Sequence, residues 1–208
     1  MTVSSFFTTR CSLPRIIFSL SLPCVALLAT PAARAQAITA SVSLSGAGPL
    51  TSLLDDNLDI RRLASDADLT LEKLRRLFAA APPLIKALLA TEGYFLTTIA
   101  PSLRQNGDHW LAEFLIDPGA PTRIADVELS FTGAIAQGPR ADPDRIARLR
   151  RQWSLAPGAN FRQAAWDEAK SNVLKGLLTR DFPAAKIVRS AALIDPHTRH
   201  AQCALAVL

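Results

Sequence analysis

The sequence predicts an α+β fold built from two tandem β-α-α-β-β units. Three observations predict it. Two segments of strict apolar/polar alternation end at Gly46 and Gly133, 87 residues apart. Each is followed by a shorter and then a longer helical pattern. Each unit then closes with two strand-like segments separated by a turn signal. Helices packed on one face of a small mixed sheet are the architecture this element order implies.

The first unit begins with Ala40, Val42 and Leu44 alternating with Ser41, Ser43 and Ser45, the period-two signature of a half-buried strand. Leu50 to Leu63 is expected to form a short helix whose apolar side is Leu53, Leu54, Leu58 and Leu63. A longer helix follows Asp68-Leu69-Thr70, with Leu71, Leu74, Phe78, Ala81, Ile85 and Leu88 recurring every three or four residues, which marks one buried face. Pro82-Pro83 falls inside it, and two prolines in mid-helix kink or split a helix. The stripe keeps its phase across them, which favours one kinked helix over two. Gly93 supplies its stop. A strand is expected over Phe95 to Leu103, then a turn at Asn106-Gly107, where both residues tolerate positive φ. Trp110, Ala112, Phe114 and Ile116 give the last strand its inward side, and Pro118-Gly119-Ala120-Pro121 ends the unit.

The second unit repeats this order. Ala125, Val127, Leu129 and Phe131 are the expected inward side of its first strand. Asp142-Pro143-Asp144 starts a short helix, with proline suited to the first turn, and Ile146, Leu149 and Trp153 are its apolar side. Pro157-Gly158 breaks the chain. A helix is expected from about Phe161 to Leu178, striped by Trp166, Ala169, Val173 and Leu177. Asp181-Phe182 takes the place of Gly93-Tyr94 at an offset of 88 residues. A strand containing Ala185 and Ile187, a turn at Asp195-Pro196-His197-Thr198, and a strand with Ala201, Cys203, Leu205 and Val207 complete the unit. The boundaries are therefore 1–35, 36–120 and 121–208, and the Pro118 to Pro121 linker is expected to leave few contacts between units, so that each folds alone.

Residues 1–35 read as an export signal. Arg10 and Arg15 precede an apolar run of 14 residues from Ile16 to Ala29, broken by Pro23. A membrane-spanning helix needs roughly 20 apolar residues, whereas a signal core needs about 7 to 15. Ala33-Arg34-Ala35 matches the cleavage pattern before Gln36, with a cut before Ile38 as the second choice. Cys24 fits a lipoprotein acceptor poorly, because Pro23 precedes it inside the apolar core. Removal of the signal leaves 20 of the 23 basic residues against 18 acidic ones, so the high pI of the whole sequence is no argument for nucleic acid. The densest basic cluster, Arg145, Arg148, Arg150 and Arg151, is expected to be a solvated helix face, with anionic lipid headgroups as the lesser alternative. Only Cys203 survives maturation, which excludes an intrachain disulfide.

No catalytic or cofactor-binding constellation emerges, and no cofactor is expected. His197, His200 and Cys203 are spaced every three residues but cross a predicted turn and strand, so they do not converge as zinc ligands must. His109 borders a turn. Asp55-Asp56 and Asp167-Glu168 are adjacent along helices and point in different directions. Trp110, Trp153 and Trp166 are in phase with apolar stripes and are read as core. G-x-S-x-G, Walker A, G-x-G-x-x-G and H-E-x-x-H are absent from the sequence. The reading is a binding protein, not an enzyme.

Three stretches carry a family resemblance. One is Val42-Ser43-Leu44-Ser45-Gly46 with Leu54-Asp55-Asp56-Asn57-Leu58. The second is Leu88-Leu89-Ala90-Thr91-Glu92-Gly93-Tyr94-Phe95, leading to Ile116-Asp117-Pro118-Gly119-Ala120-Pro121. The third is Gly158 and Phe161 followed by Trp166, Lys170 and Leu174. In this order they resemble the POTRA domains of TamA-like outer-membrane assembly proteins, over residues 38 to 208. Asp181 departs from the glycine usual before the aromatic. The resemblance implies a periplasmic protein-binding module in outer-membrane biogenesis, anchored in the outer membrane through a barrel if one follows. It implies unfolded outer-membrane β-barrel proteins or a TamB-like inner-membrane protein as partners. The alternative is a periplasmic scaffold of the cell envelope with no client handling, and a hydrolase is a distant third. The resemblance also implies that the first strand of each unit pairs with the third, leaving the second at an edge open to strand addition. Those edges are expected at Phe95 to Leu103 and Ala184 to Ala192, with Phe95, Thr97, Ile99, Leu103, Ala185, Ile187, Val188 and Arg189 as candidate binding residues. Lys186 and Arg189 would discourage uncontrolled self-pairing there.

Sequencing the N-terminus of protein recovered from the periplasmic fraction is expected to give Gln36 or Ile38; intact Met1 in the cytoplasm would refute the export reading.

Overall fold

A computed structural model of the chain describes residues 37–178 and 182–208. The expected signal segment with its cleavage site before Gln36, and the Asp181 departure, lie outside the described residues. The element order is β1 (Thr39–Ser45), a 3-10 turn (Gly48–Leu50), α1 (Thr51–Asn57), α2 (Asp59–Leu63), α3 (Leu71–Thr91), β2 (Thr98–Asn106) and β3 (His109–Asp117). The second unit runs β4 (Arg123–Phe131), a 3-10 turn (Gly133–Ile135), α4 (Pro143–Arg151), α5 (Gln163–Leu178), β5 (Ile187–Asp195) and β6 (His200–Val207). Each unit forms its own three-stranded mixed sheet, ordered β1-β3-β2 and β4-β6-β5. The last strand is central, parallel to the first and antiparallel to the second. Among the described residues, no helix is long and apolar enough to cross a membrane.

Each sheet packs one face against its helices. In the first unit Val42, Ala112, Phe114 and Ile116 meet Leu54, Leu58, Leu74, Ile85 and Leu89. In the second, Ile124, Ala201, Cys203, Leu205 and Val207 meet Leu149, Trp166, Ala169, Val173 and Leu177. The long-helix stripes follow the prediction except that in α3 Leu71 is left out of the core, Leu77 joins it and Leu89 is added as a fully buried member. α3 is one continuous helix with Pro82 and Pro83 inside it. The prolines withdraw donors from the Phe78 and Ala79 carbonyls, and Ala79 and Pro83 are exposed, so water reaches that side of the helix. Thr70 caps its start by accepting from the Lys73 N–H. Asp142 does the same for α4 through the Arg145 N–H at 2.8 Å.

Three expectations are corrected. The Leu50 to Leu63 helix is broken at Leu58, whose extended backbone (φ −92, ψ 115) separates α1 from α2 and drives the Leu58 side chain into the core. A bulge between Ile124 and Asp126 shifts the phase of β4, so Ile124 is buried and Ala125 exposed. An extra residue in one strand flips every side chain before it. The first hairpin turns on Gly107-Asp108, one residue later than expected.

The junction between the units differs from the few-contact linker expected. The Thr122 N–H donates to the Gly93 carbonyl at 2.9 Å, and the Phe161 N–H donates to the Thr122 carbonyl at 2.8 Å. Phe95 lies against Phe161, ring centroids 6.2 Å apart, and Arg162 Nε reaches Glu92 at 2.7 Å. The Glu92 carboxylate raises the guanidinium above its ordinary pKa, first by hydrogen bonding and then by charge. Gly93 is the point on which this turns. Its φ of +90 ends α3 in a Schellman motif, with the Tyr94 N–H on Leu89 and the Gly93 N–H on Ala90. A Cβ there would also stand 2.3 Å from the Phe161 carbonyl oxygen.

Gly93→Ala is therefore expected to cost more than a glycine replaced at positive φ in open space. Gly107 (φ +59), around which a Cβ meets nothing within 4 Å, is the control. Urea unfolding should show a loss of about 1 kcal/mol for Gly107→Ala and at least about 2 kcal/mol for Gly93→Ala. Equal losses would show that the junction does not press on Gly93.

Candidate functional site

A three-stranded sheet has two edges, and in each unit they are treated differently. The outer edge of β1 is occupied by its own unit. The Ile38 N–H donates to the Leu69 carbonyl at 2.8 Å, and Arg61 Nη1 donates to the Val42 carbonyl at 2.6 Å. Asp55 holds that guanidinium through Nε at 2.6 Å. The outer edge of β4 is closed in the same manner. Gly158 and Ala159 exchange hydrogen bonds with Ile124 at 2.7 and 2.9 Å, and Arg150 Nη2 donates to the Leu129 carbonyl at 3.3 Å. Val42 and Leu129 are equivalent positions, both 87 residues apart like Gly46 and Gly133. An arginine from a short helix thus caps the same carbonyl in both units. The repeat is visible in the sequence, but a capping role for Arg61 and Arg150 is not, because arginine on a short helix reads as surface charge.

β2 and β5 are the opposite edges. Among the described residues, no backbone group of either strand makes a main-chain hydrogen bond outside its own sheet. The direction of each backbone group follows from the register. A two-residue hairpin closes on a pair that exchanges both hydrogen bonds, and here that pair is Asn106 and His109. Alternation from it turns the backbone of Thr98, Ala100, Ser102 and Arg104 towards β3. Positions 99, 101, 103 and 105 face outwards. In the second sheet, Lys186 and Leu208 exchange bonds at 2.9 and 3.0 Å. The ladder then passes a bulge between Ile187 and Arg189, and the backbones of Ser190, Ala192 and Ile194 face outwards.

Of the sequence-predicted edge residues, Ile99 and Leu103 lie on β2, and Ile187, Val188 and Arg189 on β5. Phe95, Thr97 and Ala185 do not lie on a strand. Phe95 is drawn to Phe161 at the junction. Thr97 is buried, its hydroxyl donating to the Tyr94 carbonyl. Ala185 closes a turn through its N–H on Phe182. Both strands begin later than expected, because the chain must first leave the end of the long helix.

The carboxylates meet basic side chains in separate ion pairs. His109 bonds the Thr39 and Ser41 hydroxyls at 3.0 and 2.9 Å. The His197 N–H donates to Asp195, whose carboxyl is held below its ordinary pKa, chiefly by the Thr198 hydroxyl. Cys203 is buried, and burial pushes its thiol pKa up, which makes it a poor nucleophile. Asp167 is lowered first by Lys170 and then by Gln163. Among the described residues, no group of three or more His, Cys, Asp or Glu is placed to hold a metal. Arg148, Arg150 and Arg151 are exposed, whereas Arg145 is half-buried beside Asp142 and over the Phe182 ring. Trp153 and Trp166 meet edge to face at 5.8 Å inside the second core.

No family model matches the sequence, and no curated protein matches it. Among solved structures, the chain is similar to POTRA domains 3–5 of BamA from Haemophilus influenzae, at 14% identity and TM-score 0.43, over 83% of this chain and 66% of that one. It is similar to POTRA domains 1–3 of the periplasmic domain of Omp85 from Anabaena at 15% identity and TM-score 0.35, over 83% and 65%. For CdiB from Escherichia coli the values are 14% and 0.30, over 91% and 30%. The chain therefore spans less than two thirds of the length of each of these structures.

The Arg caps predict a measurable cost. Arg61→Ala is expected to lower stability by about 1 kcal/mol, and Arg150→Ala, at longer range and greater exposure, by less. Urea midpoints at unchanged slope are the readout, and an Arg61→Ala midpoint equal to wild type would show the cap to be idle.

Proposed function

We propose that the chain is a periplasmic protein-binding module of an outer-membrane protein assembly factor, and that it takes extended segments of its partners by adding them as strands to its open sheet edges. The observation that carries this reading is the asymmetry of the edges: β1 and β4 are occupied, while β2 and β5 present unsatisfied backbone groups. Strand addition draws affinity from main-chain hydrogen bonds and tolerates varied side chains, which suits a protein that must meet many unfolded β-rich chains. In this reading residues 1–35 are a cleaved signal, and residues 36–120 and 121–208 are two POTRA-like modules. The partners are unfolded outer-membrane β-barrel proteins or a TamB-like inner-membrane protein, as the resemblance to TamA-like proteins implies. Binding without catalysis is supported by the dispersal of the titratable side chains and the burial of the Cys203 thiol.

Photo-crosslinking in cells tests it. A crosslinking residue at Val188 or Leu193 is expected to trap outer-membrane β-barrel precursors, and one at exposed Lys86 of α3 is expected not to. Crosslinks confined to α3, or none to precursors from any position, would favour a scaffold that handles no clients.

A further inference from the structure

The two open edges are not equivalent. We propose that the extended partner is taken at β5 of the second unit, and that β2 of the first unit is closed to it by Pro101; this inference rests on the strand-addition reading above.

Pro101 pairs with Phe114 at one of the outward-facing positions of β2. Proline is tolerated in an edge strand only where its missing N–H faces away from the sheet, and the register places it so. The consequence falls on the free side. The donors that β2 offers outwards are those of Ile99, Leu103 and Gln105, with a gap in the middle where the pyrrolidine ring stands on the line an added strand would occupy. Proline on an edge is a recognised block to further pairing. On β5 the outward donors of Ser190, Ala192 and Ile194 follow one another without a gap, and no proline occurs between Ile187 and Asp195.

The solvent faces point the same way. That of β2 is polar: Arg104 pairs with Glu113 at 2.7 Å and also bonds Ser102. That of β5 carries Leu193, 65% exposed, and Val188 at the bulge, 53% exposed. Arg189 is exposed at the start of β5, and Lys186 precedes it. The occupant these features fit is an extended strand of another polypeptide. Its side chains alternate apolar and polar, with an apolar one beside Leu193 and an acidic one near Arg189.

The test uses the chain from Ile38 to Leu208 and a short peptide alternating valine and threonine with one terminal glutamate. Amide hydrogen exchange by NMR should show new protection at Ser190, Ala192 and Ile194, and none at Ile99, Leu103 or Gln105. Ser190→Pro, which removes one outward donor and leaves the ladder to β6 intact, should weaken the peptide about tenfold. Pro101→Thr should create a second site, seen as new protection at Ile99 and Leu103. Protection at β2 instead of β5 in the wild type would overturn the assignment while leaving strand addition standing. Protection at neither edge would overturn strand addition itself. Wild-type protection at β5 with no gain in Pro101→Thr would overturn the role of the proline. A peptide-independent dimer by sedimentation, abolished by Ser190→Pro, would make a second copy the occupant and overturn the proposal. The wild-type exchange pattern decides between the edges even if a variant fails to fold.

Discussion

In each unit the strand that comes last in the chain lies in the middle of the sheet, and the rest of the unit is arranged around that constraint. β3 and β6 bond neighbours on both sides, and their inward side chains, Ala112, Phe114 and Ile116 on one and Ala201, Cys203, Leu205 and Val207 on the other, are all buried. A parallel pair needs a long crossover connection. The crossover here holds the helices, so they fall on one face and bury the side chains of the central strand. The second strand must then pair by a hairpin on the remaining side. Its outer edge is left open by topology, before any side chain is considered.

What distinguishes the four edges is therefore local chemistry. On β1 and β4 the guanidiniums of Arg61 and Arg150, with the segments at Leu69 and at Gly158–Asn160, meet backbone groups that would otherwise seek a partner. This satisfaction is inexpensive: a long arginine crosses the edge with its stem over apolar surface and its head still partly in water. An unmet edge is a liability for a protein that does not use it. In both units an arginine meets one edge, and on the other edge, among the described residues, no arginine reaches a backbone carbonyl of the strand in this way.

The repeat, the element order, the long-helix stripes and the inward faces of the central strands were legible in the sequence, because period two and period 3.6 burial is written in apolar spacing. The places that were not legible share a cause. The bulge at Ala125, the break at Leu58 and the late starts of β2 and β5 depend on where backbone hydrogen bonds end, and hydrophobic spacing carries no record of that. Ile124 looks like a residue before the strand until the bulge turns it inwards. Phe95 looks like an edge residue because it is aromatic and next to a strand, yet its ring belongs to Phe161 of the next unit. Pro101 was visible throughout, but its meaning appears only once the register fixes which way its nitrogen faces.

The junction and the edges bear on one another through the chain that joins them. Residues 92–97 lead from α3 into β2, and they are committed to the second unit by the Gly93 carbonyl, the Phe95 ring and the Glu92 ion pair. A partner strand approaching the start of β2 would meet a segment already engaged, and further along it would meet Pro101. β5 carries neither restriction: no proline interrupts it, and its exposed Val188 precedes the three outward donors while its exposed Leu193 lies between the last two. In the proposed reading the first unit holds its neighbour and the second presents an edge, although both are built on one β-α-α-β-β plan. Divergence of this kind needs no change of fold. In the proposed reading, one proline at an outward position and one glycine that admits a neighbouring carbonyl are what separate the tasks of two copies of the same sheet.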